Sequence, residues 1–387
     1  MIELGQIYAV PCCTLQLAML GAEVIKVEPP GKGEFLRVPD LSPGGVSRAF
    51  LMLNANKQSV TLNLKHPRGR EILLQLLAAA DVIVENYVHG TMESLGLGYD
   101  ELGPRFPRLI FASAKGYGSG TRWAKLGAMD STVQASSGFI SVTGYSDRPG
   151  TKTPATFIDM GTGIHLAAGI LAALMQRERS GCGQKVEVAM LDTCIPALTS
   201  LIAPVLDGQQ LRRLGNRHRG VCPCNVYPTS DGGEVMIMCV SEAHWRALLK
   251  LLARVELATD PRFKNVVARL KLVEEVDSIV SAWSKTQTRD GAISAMMECG
   301  IPCSPVRTVA EVVADPEIAQ QAMLREVDYP TRGKIEVLGS PIKLSAAPDQ
   351  GRPFNRPPAL GENTASILAA VGIDDSELQR LRSQGVI

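Results

Sequence analysis

Apolar residues in this chain fall into two alternating rhythms. Short, nearly continuous runs at 21–28 (G-A-E-V-I-K-V-E), 60–64 (V-T-L-N-L), 81–86 (D-V-I-V-E-N) and 109–114 (L-I-F-A-S-A) read as strands, most of them buried on both faces, and K-V-E-V-A-M-L-D after Gln184 reads as a last strand passing into a helix. Met1 to Leu4 is a further short strand. Helical patterns lie between them: Thr14 to Leu20, the stretch opened by His66-Pro67-Arg68-Gly69 and running to Ala80, and a short one near Thr91–Leu95. This alternation predicts an α/β fold built on a large doubly wound parallel sheet of Rossmann-like type. The strongest helical pattern runs from about Gly163 to Arg179 and is apolar on nearly every side, with Ile164, Leu166, Ala167, Ala168, Ile170, Leu171, Leu174 and Met175. It predicts a buried helix with a lone acid, Asp159, at its positive end.

The pattern changes from Val226, where V-Y-P-T-S-D-G-G-E-V-M-I-M-C-V reads as two strands around a turn. Helical segments follow from near Glu242, at 265–284 and at 288–299, before I-P-C-S-P-V and a helix at 309–314. The predicted organisation is a large domain with its N-terminal part at 1–205, a basic irregular loop at 206–225, a smaller α/β domain at 226–308, and a return linker with the C-terminal part of the large domain at 309–387.

Composition narrows the function classes. Hydrophobic residues at 45% and charged residues at 20% are those of an ordinary globular protein. Forty basic against 39 acidic residues leave a net charge of +1, which argues against a nucleic-acid or membrane-surface partner. The N-terminus lacks the basic start of a signal peptide, and the longest apolar run, 163–175, contains His165 and is too short to span a bilayer. Nine scattered cysteines suit a reducing cytoplasm, and His218, Cys222 and Cys224 fall one ligand short of a closed zinc site, so no metal is expected.

Two familiar nucleotide motifs are absent. The turn after the first strand, Ala9-Val10-Pro11-Cys12-Cys13-Thr14, is not a dinucleotide fingerprint, and Pro29-Pro30-Gly31-Lys32-Gly33-Glu34 does not satisfy the P-loop pattern. Asp159 reads on spacing alone either as a helix N-cap or as an acid aimed at a ligand, since the following M-G-T-G clears side-chain bulk around it. His165, inside the apolar helix, reads as a core histidine, and Cys303 as packing.

Several stretches together carry a resemblance: G-A-E-V-I-K-V-E-P-P-G-K-G-E, N-A-N-K-Q-S-V-T-L-N-L, A-D-V-I-V-E-N-Y, L-G-L-G-Y-D-E-L, P-R-L-I-F-A-S-A-K-G-Y-G, and the segment from Phe157 to Asp192. They resemble the class III coenzyme A-transferases, the group that includes formyl-CoA and carnitine CoA-transferases, and their α-methylacyl-CoA racemase relatives. The resemblance implies that Asp159 is the catalytic nucleophile and that coenzyme A lies along the strand ends beside Arg37, Asn86, Tyr87, Lys115 and Tyr117. It implies acyl-CoA and a free carboxylic acid as substrates, no tightly bound cofactor, and an interlocked homodimer.

The racemase relatives resemble this chain but carry a histidine where Met129 stands, and methionine cannot carry a proton. A CoA-transferase is therefore the reading, with racemase-type epimerisation and non-catalytic CoA binding as alternatives. Two departures bear on substrate. R-H-R-G at 217–220 replaces the glycine run of formyl-CoA transferases, which speaks against formyl or oxalate specificity, and Val10 stands where relatives often have glycine. Ile7, Met129 and Phe139 are candidate pocket residues, and Arg212, Arg213, Arg217 and Arg219 keep succinate-like donors open.

Overall fold

Six strands pair side by side into one parallel sheet, the third of them at Lys57–Thr61 rather than over the apolar run 60–64. The computed structural model describes residues 1–37, 45–346 and 354–387. The strands are β1 (Ile2–Glu3), β2 (Val24–Glu28), β3 (Lys57–Thr61), β4 (Val82–Glu85), β5 (Ile110–Lys115) and β6 (Lys185–Ala189), in the order β3-β2-β1-β4-β5-β6. The chain builds outward from β1 in one direction, then returns to start β4 on its other side. Loops leaving β1 and β4 therefore diverge, and a crevice opens at their carboxyl ends, where such sheets bind ligands.

Both faces of the sheet are covered. On β4, Val82 and Val84 point into one apolar cluster and Ile83 into the other; on β5, Ile110 and Ala112 oppose Phe111 in the same way. The first cluster is closed by helix α1 (Ala9–Met19) and by a long helix described below; the second by α2 (Pro67–Leu77) and the C-terminal residues Leu378, Leu381 and Val386. The C-terminal segment is tied to β3 through the Asn363 side chain, which accepts the Ser59 amide at 3.0 Å.

The chain divides into two units, one of Met1–Gly138, Thr153–Ala203 and Pro316–Ile387, the other of Phe139–Lys152 and Pro204–Asp315. The first holds the parallel sheet and, in the return segment, a hairpin of Leu324–Tyr329 and Gly333–Leu338. Residues 347–350 of the expected linker lie outside the described residues. The second holds an antiparallel sheet of Cys224–Pro228, Glu234–Met238 and Cys303–Pro305, with Trp245, Phe263, Val276 and Val280 in its core. Within it Arg213 donates to Tyr145 O and Arg148 O, and Arg217 pairs with Asp277 at 2.7 Å.

The helices differ from expectation at instructive places. Helix α1 starts at Ala9 rather than Thr14, because Pro11 lies in its first turn, where no amide is needed. After α3 (Asp130–Ser136), the apolar helix α4 runs from Phe157 to Ser180, so Asp159 lies within its first turn and is not its N-cap. Nor is α4 buried all round. Leu166, Ala167, Ile170 and Ala173 pack on the sheet and Arg177 pairs with Asp81, yet Ile164, Leu171 and Met175 are 57%, 43% and 69% exposed. His165 is exposed too, not a core histidine; its Nδ1 lies 2.8 Å from Gly161 O. At 24 residues, α4 is long and apolar enough by length and composition to cross a membrane, which the shorter run had not suggested. Core helices pass the same test, and its sheet-facing side is packed as one. Gly163 serves this packing, since a Cβ there would come within 2.6 Å of Ala9 O on α1.

Candidate active site

The loops that leave the carboxyl ends of β1, β4, β5 and β6 enclose a cavity of about 400 Å³ within the first unit. Gln6 to Ala9 follow β1, Asn86 to His89 follow β4, Lys115 ends β5 and Met190 follows β6. The segment from Ala124 to Met129 closes one side, and Asp159 enters from the first turn of α4. Ile7 has φ +68°, rare for a β-branched residue, and its amide donates to Glu34 Oε2 at 2.9 Å, which holds the strained turn.

Asp159 sits beside a second acid that faces the same helix end. Asp130 is the first residue of α3, and its Oδ2 accepts the amides of Ile158 and Asp159 at 2.9 and 3.2 Å. It thus caps α4 from another element, while Gln134 Nε2 donates to its Oδ1 at 2.6 Å. Burial, and then the negative charge of Asp130, push the Asp159 carboxyl up from 3.8 to about 7. The helix terminus, which alone would favour the anion, is outweighed. If ionised Asp159 is the reacting form, acylation should rise with pH through about 7. Asp130→Asn keeps an acceptor for the α4 amides and removes the charge, so the midpoint of a single-turnover pH profile should move to lower pH; an unmoved midpoint would dismiss Asp130 as its electrostatic neighbour.

The residues expected to neighbour a cofactor are placed unequally. Asn86, Tyr87 and Lys115 line the cavity with Asp159. The Asn86 amide is bonded both ways to the backbone of Gln6, at 2.9 and 2.8 Å, so it joins the β1 and β4 loops. Burial raises the Tyr87 phenol to about 12. The ammonium of Lys115 donates to both oxygens of Glu85 at 2.7 and 2.9 Å and to Tyr87 O at 2.8 Å, which uses all three of its protons. Tyr117 is buried against Trp123 and does not line the cavity, although its carbonyl lies 3.0 Å from His89 Nε2. Arg37 lies apart: its guanidinium grips Glu28 at 2.6 and 2.8 Å, donates to Pro358 O and stacks over Phe50. Of the candidate pocket residues, Ile7 and Met129 line the cavity, whereas Phe139 belongs to the second unit.

Sequence reasoning missed Tyr8, Glu85, His89 and the outward reach of Asp130. A signal existed for Glu85: an acid at the end of an all-apolar strand needs a buried partner. None existed for Asp130, which reads locally as the start of its own helix.

Comparison with known proteins places these features in a wider group. The model of CoA-transferase family III matches residues 1–364. A formyl-CoA:oxalate CoA-transferase of Streptomyces avermitilis is 35% identical, over 100% of this chain and 98% of that protein. A protein of Fusarium pseudograminearum named acyl-CoA transferase is 34% identical, over 100% of this chain and 87% of its own length. The crystal structure of a CAIB/BAIF family protein from Brucella suis superposes with a TM-score of 0.83 at 31% identity, covering 96% of this chain and 97% of that one.

Proposed function

Since the chain belongs to CoA-transferase family III, whose members move CoA from a thioester to a carboxylic acid, we propose that it does so through a covalent adduct on Asp159. The observation that carries the reading is one carboxylate, single among the described lining residues, raised to about 7 and lying on a helix end at the point where the strand order reverses. The Asp159 carboxylate attacks the donor carbonyl and expels CoA thiolate, leaving a mixed anhydride. The thiolate attacks the aspartyl carbonyl, releases the donor acid and leaves an aspartyl-CoA thioester. The acceptor carboxylate then attacks that thioester and expels the thiolate, leaving a second mixed anhydride, whose acyl carbonyl the thiolate attacks to give the new acyl-CoA and regenerate the Asp159 carboxylate. No water enters and no proton is gained or lost, so the energy of the thioester is conserved.

Coenzyme A would enter along the β1, β4 and β5 ends, with Asn86 and Tyr87 beside its thiol arm. Lys115 then acts by holding Glu85 and the Tyr87 backbone rather than by meeting phosphate. Arg37 likewise braces the β2 end from outside the cavity.

Epimerisation is the second reading, because His89 lines the same cavity although Met129 occupies the expected base position. The two separate in deuterated water. A transferase forms the acceptor's CoA ester without deuterium at the α-carbon; α-exchange at a rate matching turnover would favour epimerisation.

The exposed apolar side of α4, with Ile164, Leu171 and Met175, supports a homodimer. Light scattering at micromolar concentration should give twice the 41.5 kDa chain mass; a monomer would remove this part. The nine cysteines are all free, which suits a cytoplasmic setting.

A further inference from the structure

On the reading that this cavity takes the acyl end of a CoA thioester, we infer that the acyl group and the acceptor acid are apolar and monocarboxylic, so that formyl and oxalate are poor substrates here. The inference rests on which cations the cavity leaves free for a second carboxylate. Its ionisable lining side chains, besides Asp159, are Tyr8, Tyr87, His89 and Lys115. Lys115 is the sole permanent cation among them, and its three protons are taken by Glu85 and Tyr87 O. His89 has its Nε2 on the Tyr117 carbonyl, so that nitrogen is the donor and is already committed.

A dicarboxylate reacts through one carboxylate and must bury or tether the other. Here the second carboxylate would find no uncommitted cation among the described lining residues, and on a donor it would also lie near the charge of Asp159. Left unpaired, it is strongly disfavoured. Of the remaining lining side chains, Gln6, Asn86 and Thr91 are polar but uncharged, with the Asn86 amide spent on the Gln6 backbone, and Ile7, Val88, Ala124, Leu126, Met129 and Met190 are apolar. An alkyl or aryl chain covers these side chains, whereas a formyl group leaves them untouched and gives up their binding energy.

The test assays the full chain with butyryl-, hexanoyl-, formyl- and succinyl-CoA as donors and butyrate, hexanoate, oxalate and succinate as acceptors, separating the CoA esters by chromatography. Butyryl and hexanoyl groups should be favoured over formyl and succinyl by at least about 100-fold in kcat/KM, with the same order among acceptors. Leu126→Lys, at a half-exposed lining position, adds a free cation and should shift the succinate-to-hexanoate ratio toward succinate by about tenfold. Oxalate or formyl-CoA used as well as the apolar substrates would overturn this inference while leaving the transferase reading intact. Transfer between no pair at all would overturn the transferase reading itself, and the inference with it.

Discussion

Asp159→Asn should be inactive and, above neutral pH, more stable than the parent protein. An amide cannot attack a thioester as a carboxylate does, so turnover should fall by at least about 10⁴-fold, the scale seen when a covalent nucleophile is removed. Affinity for CoA should persist, because the cavity walls are untouched. Asp159→Glu should fail as well, since one more methylene displaces the attacking oxygen.

The stability effect has a definite sign. The carboxyl titrates at about 7 in the fold against 3.8 ordinarily, so the folded state binds the proton more tightly than the unfolded one. Asp159 therefore costs nothing below about pH 4, costs increasingly more between about pH 4 and 7, and imposes its full penalty above that. Three units correspond to about 4 kcal/mol, an upper figure that relaxation of the site reduces. Melting temperatures of the two proteins should diverge at pH 8 and converge near pH 4. A nucleophile held in an unfavourable place by its surroundings is a common trade of stability for activity.

Glu3→Gln should be among the most damaging single changes outside the catalytic group. Glu3 is completely buried at the carboxyl end of β1, 2.8 Å from Lys26 and 3.0 Å from Lys57, and also accepts the Thr14 hydroxyl at 2.7 Å. Burial pushes its carboxyl up, but the two lysines and the hydrogen bonds bring it down, to about 2. Burial also draws Lys57 down to about 8, whereas at Lys26 burial is outweighed by the surrounding carboxylates, which raise it, so Lys57 is the cation held with little to spare. Without the Glu3 charge two buried ammonium groups lose their shared counter-ion, which costs about 3–5 kcal/mol, a large part of the stability of an ordinary domain.

Urea unfolding followed by tryptophan fluorescence measures this loss. Glu326→Gln, which breaks an exposed pair with Lys334, is the control and should leave the midpoint nearly unchanged. The damage should reach the site as well. Lys26 also donates to Gly5 O and pairs with Glu34 at 3.5 Å, and Glu34 holds the Ile7 turn that lines the cavity. Equal midpoints for the two variants would show that this buried cluster contributes little.

The parallel sheet was legible because strands buried on both faces must be nearly continuous in apolar residues, and β2, β4 and β5 are. Asp159 was legible through motif resemblance, and the lining positions of Asn86, Tyr87 and Lys115 lie where that resemblance pointed. The charged side chains were harder to read. Glu3, Lys26 and Lys57 interrupt their strands like solvent-facing residues, and only pairing across three strands shows that they neutralise one another in the interior. Lys115 and Arg37 looked free for a cofactor because Glu85 and Glu28, their partners, are not neighbours in sequence. The reach of Asp130 to a helix end 28 residues away is of the same kind. The exposure of α4 was hidden for another reason: composition says that a surface is apolar, not whether this chain covers it.

The central claim is a covalent Asp159 adduct, and the most direct measurement is peptide mass spectrometry after incubation with acyl-CoA and borohydride reduction. An aspartyl thioester is trapped as its alcohol, so the peptide carrying Asp159 should change in mass with a productive donor, and Asp159→Asn should show no such change. Turnover of an acyl-CoA with no modification of Asp159 at any point of the time course would contradict the account.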